Sequence, residues 1–443
     1  MPDTGAMNAS QAHWLTSVTD PVRVALARTG SKPDLNHILG LFEPSGGEPA
    51  FDRNVIAGNA ERLKTVPDVA TGHPFLDLSV RTALAHIDAT FQGDHPKYGV
   101  REYGQNCHDG FPPVIIASID ALSAWGLHGR AIQLFRYWLL NLVRDDGWIR
   151  YRGTSLSELG QLLNTAAILA ERAGPGGWLT DGAVALDRIA GALLELLAQG
   201  GPDGLIRGVP EDDEKDKPGR YFHNSAWASR GLARWADLAA RCGVRTAAGE
   251  ERLHRASRQL AENTVAAIRR TWPADPADWW LSPQLEAVER PCGRVCANRI
   301  GSYTNYRYWP ELLSSGVLPA DLANRVVEAR LLGGGQFCGM TRFMDWLDDW
   351  PLAEYLAGVW ALGRRDDFLL SLYGHVAYHQ AREHLTAYEQ VTFPPWAVRA
   401  GQGGLLPPLP ARRRAGRAPA GSRLSTVCGD ACARPDAGGR PQG

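Results

Sequence analysis

The sequence predicts an all-α fold, six helical hairpins closing an (α/α)6 toroid whose last hairpin is incomplete. Three observations predict it. Apolar residues recur at three- and four-residue intervals in roughly ten segments. Most of those segments pair across short breaks marked by Gly or Pro, with long polar loops after alternate members. No strand–helix–strand alternation runs along the chain, which argues against a parallel sheet.

Residues 1–75 read as an irregular N-terminal segment with clusters such as EPSGGEP. Helical spacing begins with FLDLSVRTALAHIDATF and defines a domain over 76–400. PVIIASIDALSAW and RAIQLFRYWLLNLV form a pair broken at Gly126–Gly129, and RDDGWIRYRG is a turn with a short extended piece. SLSELGQLLNTAAILAERAG follows, where Ser155 and Glu158 match the S-x-x-E capping box. DGAVALDRIAGALLELLAQGG ends on Gly. NSAWASRGLARWADLAARCG, EERLHRASRQLAENTVAAIRRTW, ADLANRVVEARLL, LAEYLAGVWALG and RDDFLLSLYGHVAYHQAREHLTAYE complete the helical set. From about Gly401 to Gly443 the chain is rich in Pro, Gly, Ala and Arg without periodicity, which predicts a disordered tail. Its abrupt start suggests an altered reading frame or a truncated gene. The ring should then leave exposed apolar surface where the last helix of the sixth hairpin would pack.

Composition narrows the function classes. The 443 residues are 44% hydrophobic and 21% charged, ordinary for a globular protein. A net charge of −1 gives no footprint for nucleic acid or an anionic membrane. No stretch approaches the ~20 apolar residues that span a bilayer. The opening MPDTGAMNASQAHW lacks a basic start and apolar run, so no signal peptide is expected and the reading is cytoplasmic. The seven cysteines then read as reduced thiols. Cys292 with Cys296 and Cys428 with Cys432 have zinc-like spacing, but the pairs lie far apart and the second is in the tail. No metal and no cofactor is expected.

The fifteen tryptophans are unusual, because the flat apolar face of Trp suits the C–H faces of sugar rings, although most of them are expected in the core. Four polar segments interrupt the helices. REYGQNCHDGFPP carries Arg101, His108 and Asp109. GLIRGVPEDDEKDKPGRYFHNSAW carries Glu211, Asp212, Asp213 and Glu214. IGSYTNYRYWPEL carries Tyr303, Asn305, Tyr306, Arg307 and Trp309. HLTAYEQVTFPPW carries Tyr388, Glu389, Gln390 and Trp396. Cleaving a glycosidic bond takes two carboxyl groups, one to protonate the leaving oxygen and one to activate water or attack the sugar. Each segment also has a plainer reading. Acidic runs usually face water, Asp109 before Gly110 suits a turn, and Tyr306 with Trp309 has core spacing. The segments gain weight by occurring together on a hairpin scaffold whose long loops share one face. Asp345, Asp348 and Asp349 are too loosely spaced for a magnesium motif. His375, His379 and His384 share one helical pattern and, without H-E-x-x-H, read as structural.

At these residues the chain resembles the six-hairpin glycosidase superfamily, the (α/α)6 enzymes that include glucoamylase-like and glycogen-debranching-like hydrolases. The resemblance covers about Tyr98 to Trp396. It implies a general acid in PEDDEKDKPGRYFHNSAWASRGL, with Asp213 favoured and Glu211 next, and a general base at Glu389 in AYEQVTF. Arg101, His108, Asp109, Tyr303, Asn305, Tyr306, Trp309, Tyr388 and Gln390 are then expected to bind a carbohydrate substrate. An inverting hydrolase would hold Asp213 and Glu389 roughly 6.5–9.5 Å apart. A phosphorylase, epimerase or lyase on the same scaffold, or a degenerate sugar-binding member, remains open. Neither the sugar nor the oligomeric state is legible.

Overall fold

The computed structural model describes residues 66–72, 74–97, 108–151, 156–211, 218–337, 339–344, 346–380, 387 and 389–392. Most of these are helical. In chain order they form α1 (Pro74–Ala89), a hairpin of β1 (Phe91–Gln92) and β2 (His95–Pro96), α2 (Pro112–Ala124), α3 (His128–Leu142), α4 (Leu156–Ala173), α5 (Gly176–Gln199), α6 (Phe222–Cys242) and α7 (Glu250–Thr271). The second half holds α8 (Arg299–Tyr303), a π-helical turn Thr304–Tyr308, α9 (Trp309–Ser314), α10 (Ala320–Leu332), α11 (Leu352–Ala361) and α12 (Arg365–Gly374) with a second π turn His375–His379. Strands β3 (Gln336–Phe337), β4 (Met340–Phe343), β5 (Trp346–Asp348) and β6 (Gln390–Thr392) form one antiparallel sheet in that order. The tail, the segment before residue 66 and the predicted domain edges there lie outside the described residues.

Alternate helices lie side by side. α2 packs on α4, α4 on α6, α6 on α9 and α9 on α11, while α3, α5, α7 and α12 each pack beside one of these or one another. The sequence explains which helices are central. α4 and α6 are apolar or small on nearly every face, and most of their residues are buried. α7 carries one apolar stripe, Leu253, Leu260, Thr264, Ala267 and Ile268, with charges elsewhere, as an outer helix should. Trp138, Trp235 and Trp309 fill the main core, each less than 2% exposed. α4 and α6 touch backbone to backbone. A Cβ on Gly160 would lie 2.1 Å from the Trp227 carbonyl oxygen, and one on Gly231 would lie 2.5 Å from that of Gly160.

Several expectations are corrected. IGSYTNYRYWPEL, read as a loop, is helical throughout as α8, the π turn and α9. The helix expected over 365–389 stops at His379, because Gln380 turns extended and pairs with Ala387. The four-stranded sheet was not anticipated, since its strands are too short to show an alternation. The expected capping-box contact of Glu158 with Ser155 lies outside the described residues. Among the described residues, its oxygens accept from Ser157 and Arg307. Cys292 is disulfide-bonded, against the expectation of reduced thiols throughout. Cys296 is a free, buried thiol whose pKa burial raises to about 11. No described helix is long and apolar enough to cross a membrane. Large exposed apolar side chains gather at the end of the helical set, with Trp360 on α11 and Leu369, Leu370 and Tyr373 on α12.

The α4–α6 contact yields a test. Gly160→Ala should destabilise the fold by about 1–3 kcal/mol, the usual penalty for forcing a methyl into a packed site. Urea unfolding measures it, and an unchanged midpoint would show that the two helices do not approach this closely.

Candidate active site

The N-terminal ends of the central helices converge, and with them a set of buried charges. Glu158 sits in the first turn of α4, His223 in the first turn of α6 and Glu311 in the first turn of α9. The α4 N-terminus favours a carboxylate through its unsatisfied N–H groups, whereas Glu311 lies within the continuous helical run 299–314. Arg307, in the π turn just before α9, holds them together. Its Nη2 donates to Glu158 Oε1, and its Nε donates to Glu311 Oε1 at 2.5 Å. Its guanidinium lies 5.0 Å from the ring centre of Trp350. Glu211 accepts from the Tyr151 hydroxyl at 3.1 Å and lies near enough to act on both Arg307 and Glu158. All three glutamates and Arg307 are buried.

One guanidinium cannot neutralise three carboxylates. Burial first, and then the charges of Glu311 and Glu211, push the Glu158 carboxyl up to about 8 against the pull of Arg307. Burial alone would lower the Arg307 pKa, but Glu311, Glu158 and Glu211 hold it well above the ordinary value. His223 is stacked on Tyr308 with ring centres 4.8 Å apart, and Nε2 lies 4.0 Å from Glu311. Burial and the Arg307 charge hold its pKa well below the ordinary histidine value, so it is neutral.

A second acidic group is built on the sheet. β5 pairs Asp348 with Gln390 of β6. Gln390 Nε2 donates to Asp348 Oδ2 at 2.8 Å, and the Trp350 N–H donates to Oδ1 at 3.1 Å. Burial and the neighbouring Glu389 nevertheless push Asp348 well above the usual carboxylate range. Glu389 itself is exposed. Tyr306 joins the two groups. Burial, then Asp348 and Glu389, raise its hydroxyl pKa, while Arg307 opposes them. An aromatic wall accompanies this join. Trp350 stacks on Phe111 at 5.8 Å and tilts against Tyr306 at 6.3 Å, and Phe111 packs on Tyr151 at 5.2 Å.

The structure therefore brings together Glu211, Glu389, Tyr306 and Gln390 of the sequence-predicted site, with Tyr303 packed on Tyr306 and Phe343. Asp213, Arg101 and Tyr388 lie outside the described residues, so the expected Asp213–Glu389 separation does too. Three other residues are placed in roles apart from a sugar-facing wall. Asp109 is buried, with its carboxylate on Lys97 at 3.1 Å and His95 at 3.0 Å, and it fastens the β1–β2 hairpin beside buried His108. Asn305 is fully buried and its amide donates to the Gly335 and Arg342 carbonyls. Trp309 is a core residue donating to the Leu281 carbonyl at 3.1 Å. Sequence reasoning missed Glu158, Glu311, Asp348 and Trp350 as site residues. Glu158 had the spacing of a helix cap. The signal for Asp348 and Trp350 was present in MDWLDDW, an acidic and aromatic run.

Two shallow surface concavities of about 450 and 590 Å³ are lined by other residues, among them Asp278 and Trp280 in one and Asp187 and Arg245 in the other. Compared with known protein families and with curated proteins, the chain matches none.

The raised Glu158 carboxyl gives stability a sign. The folded state keeps a proton that the unfolded chain loses near 4.5, so Glu158 contributes fully below that pH and its contribution is lost as pH rises toward about 8. Denaturant midpoints should fall across this window in the wild type, and Glu158→Gln should flatten the slope. An equal slope in both proteins would contradict the retained proton.

Proposed function

We propose that the chain is an inverting glycoside hydrolase on an (α/α)6 scaffold, working by general acid/base catalysis with two carboxylates. The observation that carries this reading is the pair of acidic groups, Glu211 with Glu158 and Glu311 on one side and Glu389 with Asp348 on the other, joined through Tyr306 beside the Trp350 wall. The order of helix contacts, α2–α4–α6–α9–α11, supports a ring, and the Phe111–Trp350 stack brings the entrance of α11 back to that of α2.

In this reading the proton donor comes from the loop that begins at Glu211, with Asp213 and Glu211 as its candidates, and Glu389 is the base that activates water. Solvent exposure suits Glu389, since a base must be reached by water. Asp348, held high by burial and by its neighbour, keeps a proton and can hydrogen-bond a hydroxyl or the base itself. Trp350 and Tyr306 offer apolar faces to a sugar ring. Glu158, Glu311 and Arg307 are bound to one another, and they position the wall and set its charge. Residence in the cytoplasm stays with this proposal as the sequence reading, and the disulfide at Cys292 weighs against it.

A panel of nitrophenyl glycosides tests the activity. On a cleaved member, Glu389→Gln and Glu211→Gln should each lower kcat by about 10²–10⁴-fold while circular dichroism stays unchanged. The wild-type rate should trace a bell against pH, with its acidic limb set by Glu389. Saccharide binding without turnover on any glycoside would identify a non-catalytic sugar binder instead, and release of a sugar phosphate that depends on phosphate would identify a phosphorylase.

A further inference from the structure

Directly after β5, the residue that follows Asp348 builds a different constellation. Asp349 is buried, 1% exposed at its side chain. Its Oδ1 accepts from the Thr341 N–H at 3.0 Å. Its Oδ2 has no hydrogen-bond partner and points at two imidazoles, with His375 Nδ1 at 3.4 Å and His379 Nε2 at 3.6 Å. His375 Nδ1 likewise lacks a hydrogen-bond partner. The three atoms all lie within 4.8 Å of one another. The two rings are parallel, 5.6 Å apart and inclined by 9°. The π turn makes this possible, because it sets His375 and His379 one above the other directly after α12.

We infer that Asp349, His375 and His379 form a binding site for a divalent transition-metal ion, zinc foremost. The distances fit. Zinc bonds of about 2.0–2.1 Å in a tetrahedron place neighbouring ligand atoms about 3.3–3.4 Å apart, close to both carboxylate–imidazole separations. The donor set of two imidazoles and one carboxylate suits zinc or iron(II) and is poor for magnesium or calcium, which want oxygen. The carboxylate is already oriented. Thr341 holds one oxygen, which leaves the other for the ion, the arrangement that outer hydrogen bonds commonly impose on metal ligands. The half-buried edge of His375, 22% exposed, is the way in from solvent. Arg330, the nearby buried cation, donates to Asn305 Oδ1 at 3.1 Å and the Thr341 hydroxyl at 2.6 Å, and it acts on Asp349 through its charge rather than through a hydrogen bond. A hydrogen-bonded Asp–His cluster would instead show an N–H aimed at Oδ2, and the hydrogen-bond geometry for that is missing at His375.

Bound there, the ion ties the end of β5 to the turn that follows α12. The Asp349 N–H also donates to the Glu389 carbonyl at 3.4 Å, so the ion would stiffen the strand pairing that presents Glu389.

The full chain, stripped with a chelator and dialysed, should take up one zinc ion per molecule in calorimetry and elemental analysis, with a rise in melting temperature. His375→Asn, at the most exposed position of the three, and Asp349→Asn should each weaken zinc binding by at least about 100-fold. Cobalt(II) in the wild type should give the visible bands of a four-coordinate nitrogen–oxygen site without a thiolate charge-transfer band, a readout independent of whether the variants fold. Absence of stoichiometric zinc, wild-type affinity in both variants, or a thiolate band would each overturn the site.

Discussion

Arg307 is the constraint on which the rest of the arrangement depends. A guanidinium buried among helix ends is tolerable only when carboxylates surround it, because an unpaired charge in such surroundings costs several kcal/mol. Glu158 from α4 and Glu311 from α9 meet it directly, and Glu211 from the loop before α6 adds its field. Three elements distant in sequence are thereby fixed at one point. The π turn at Thr304–Tyr308 matters here, since the widened turn carries Tyr306 and Arg307 into the same place from adjacent positions. Breaking the cluster by removing one partner leaves the others uncompensated, so its members are coupled and should not behave additively under mutation.

The same cluster sets the chemistry. Burial, with surplus negative charge around one cation, keeps Glu158 protonated, and burial with the charge of Glu389 raises Asp348 on the sheet. The aromatic wall of Trp350, Phe111 and Tyr306 lies against both groups and keeps the local dielectric low, which strengthens every one of these effects.

The helical architecture was legible because it rests on periodicity. α7 and α10 begin where their sequence pattern begins, and α4 and α6 follow theirs to within two residues. Short elements were not legible. β3 to β6 hold two to four residues each, fewer than an alternation needs, and the break at His379 depends on pairing between Gln380 and Ala387 rather than on a local signal. The site was partly legible for the same reason. Glu211 and Glu389 stood out as acids in polar segments. Glu158 and Glu311 lie inside helical sequence where a glutamate is ordinary, and only tertiary contact with Arg307 distinguishes them. Asn305 and Trp309 had the residue types of a sugar site, but the helix that carries them turns both inward, to the backbone of Gly335 and to Leu281. The Asp349–His375–His379 convergence joins a strand to a π turn 26 residues later, a distance that sequence spacing alone does not reveal.

Proton NMR of the full chain incubated with a mixture of defined oligosaccharides bears most directly on the account as a whole. Hydrolysis by a water activated at Glu389 predicts new reducing-end anomeric signals whose first-formed configuration is inverted relative to the bond cleaved, and their absence with Glu389→Gln. No new reducing ends from any glycan, or products that retain configuration, would contradict it.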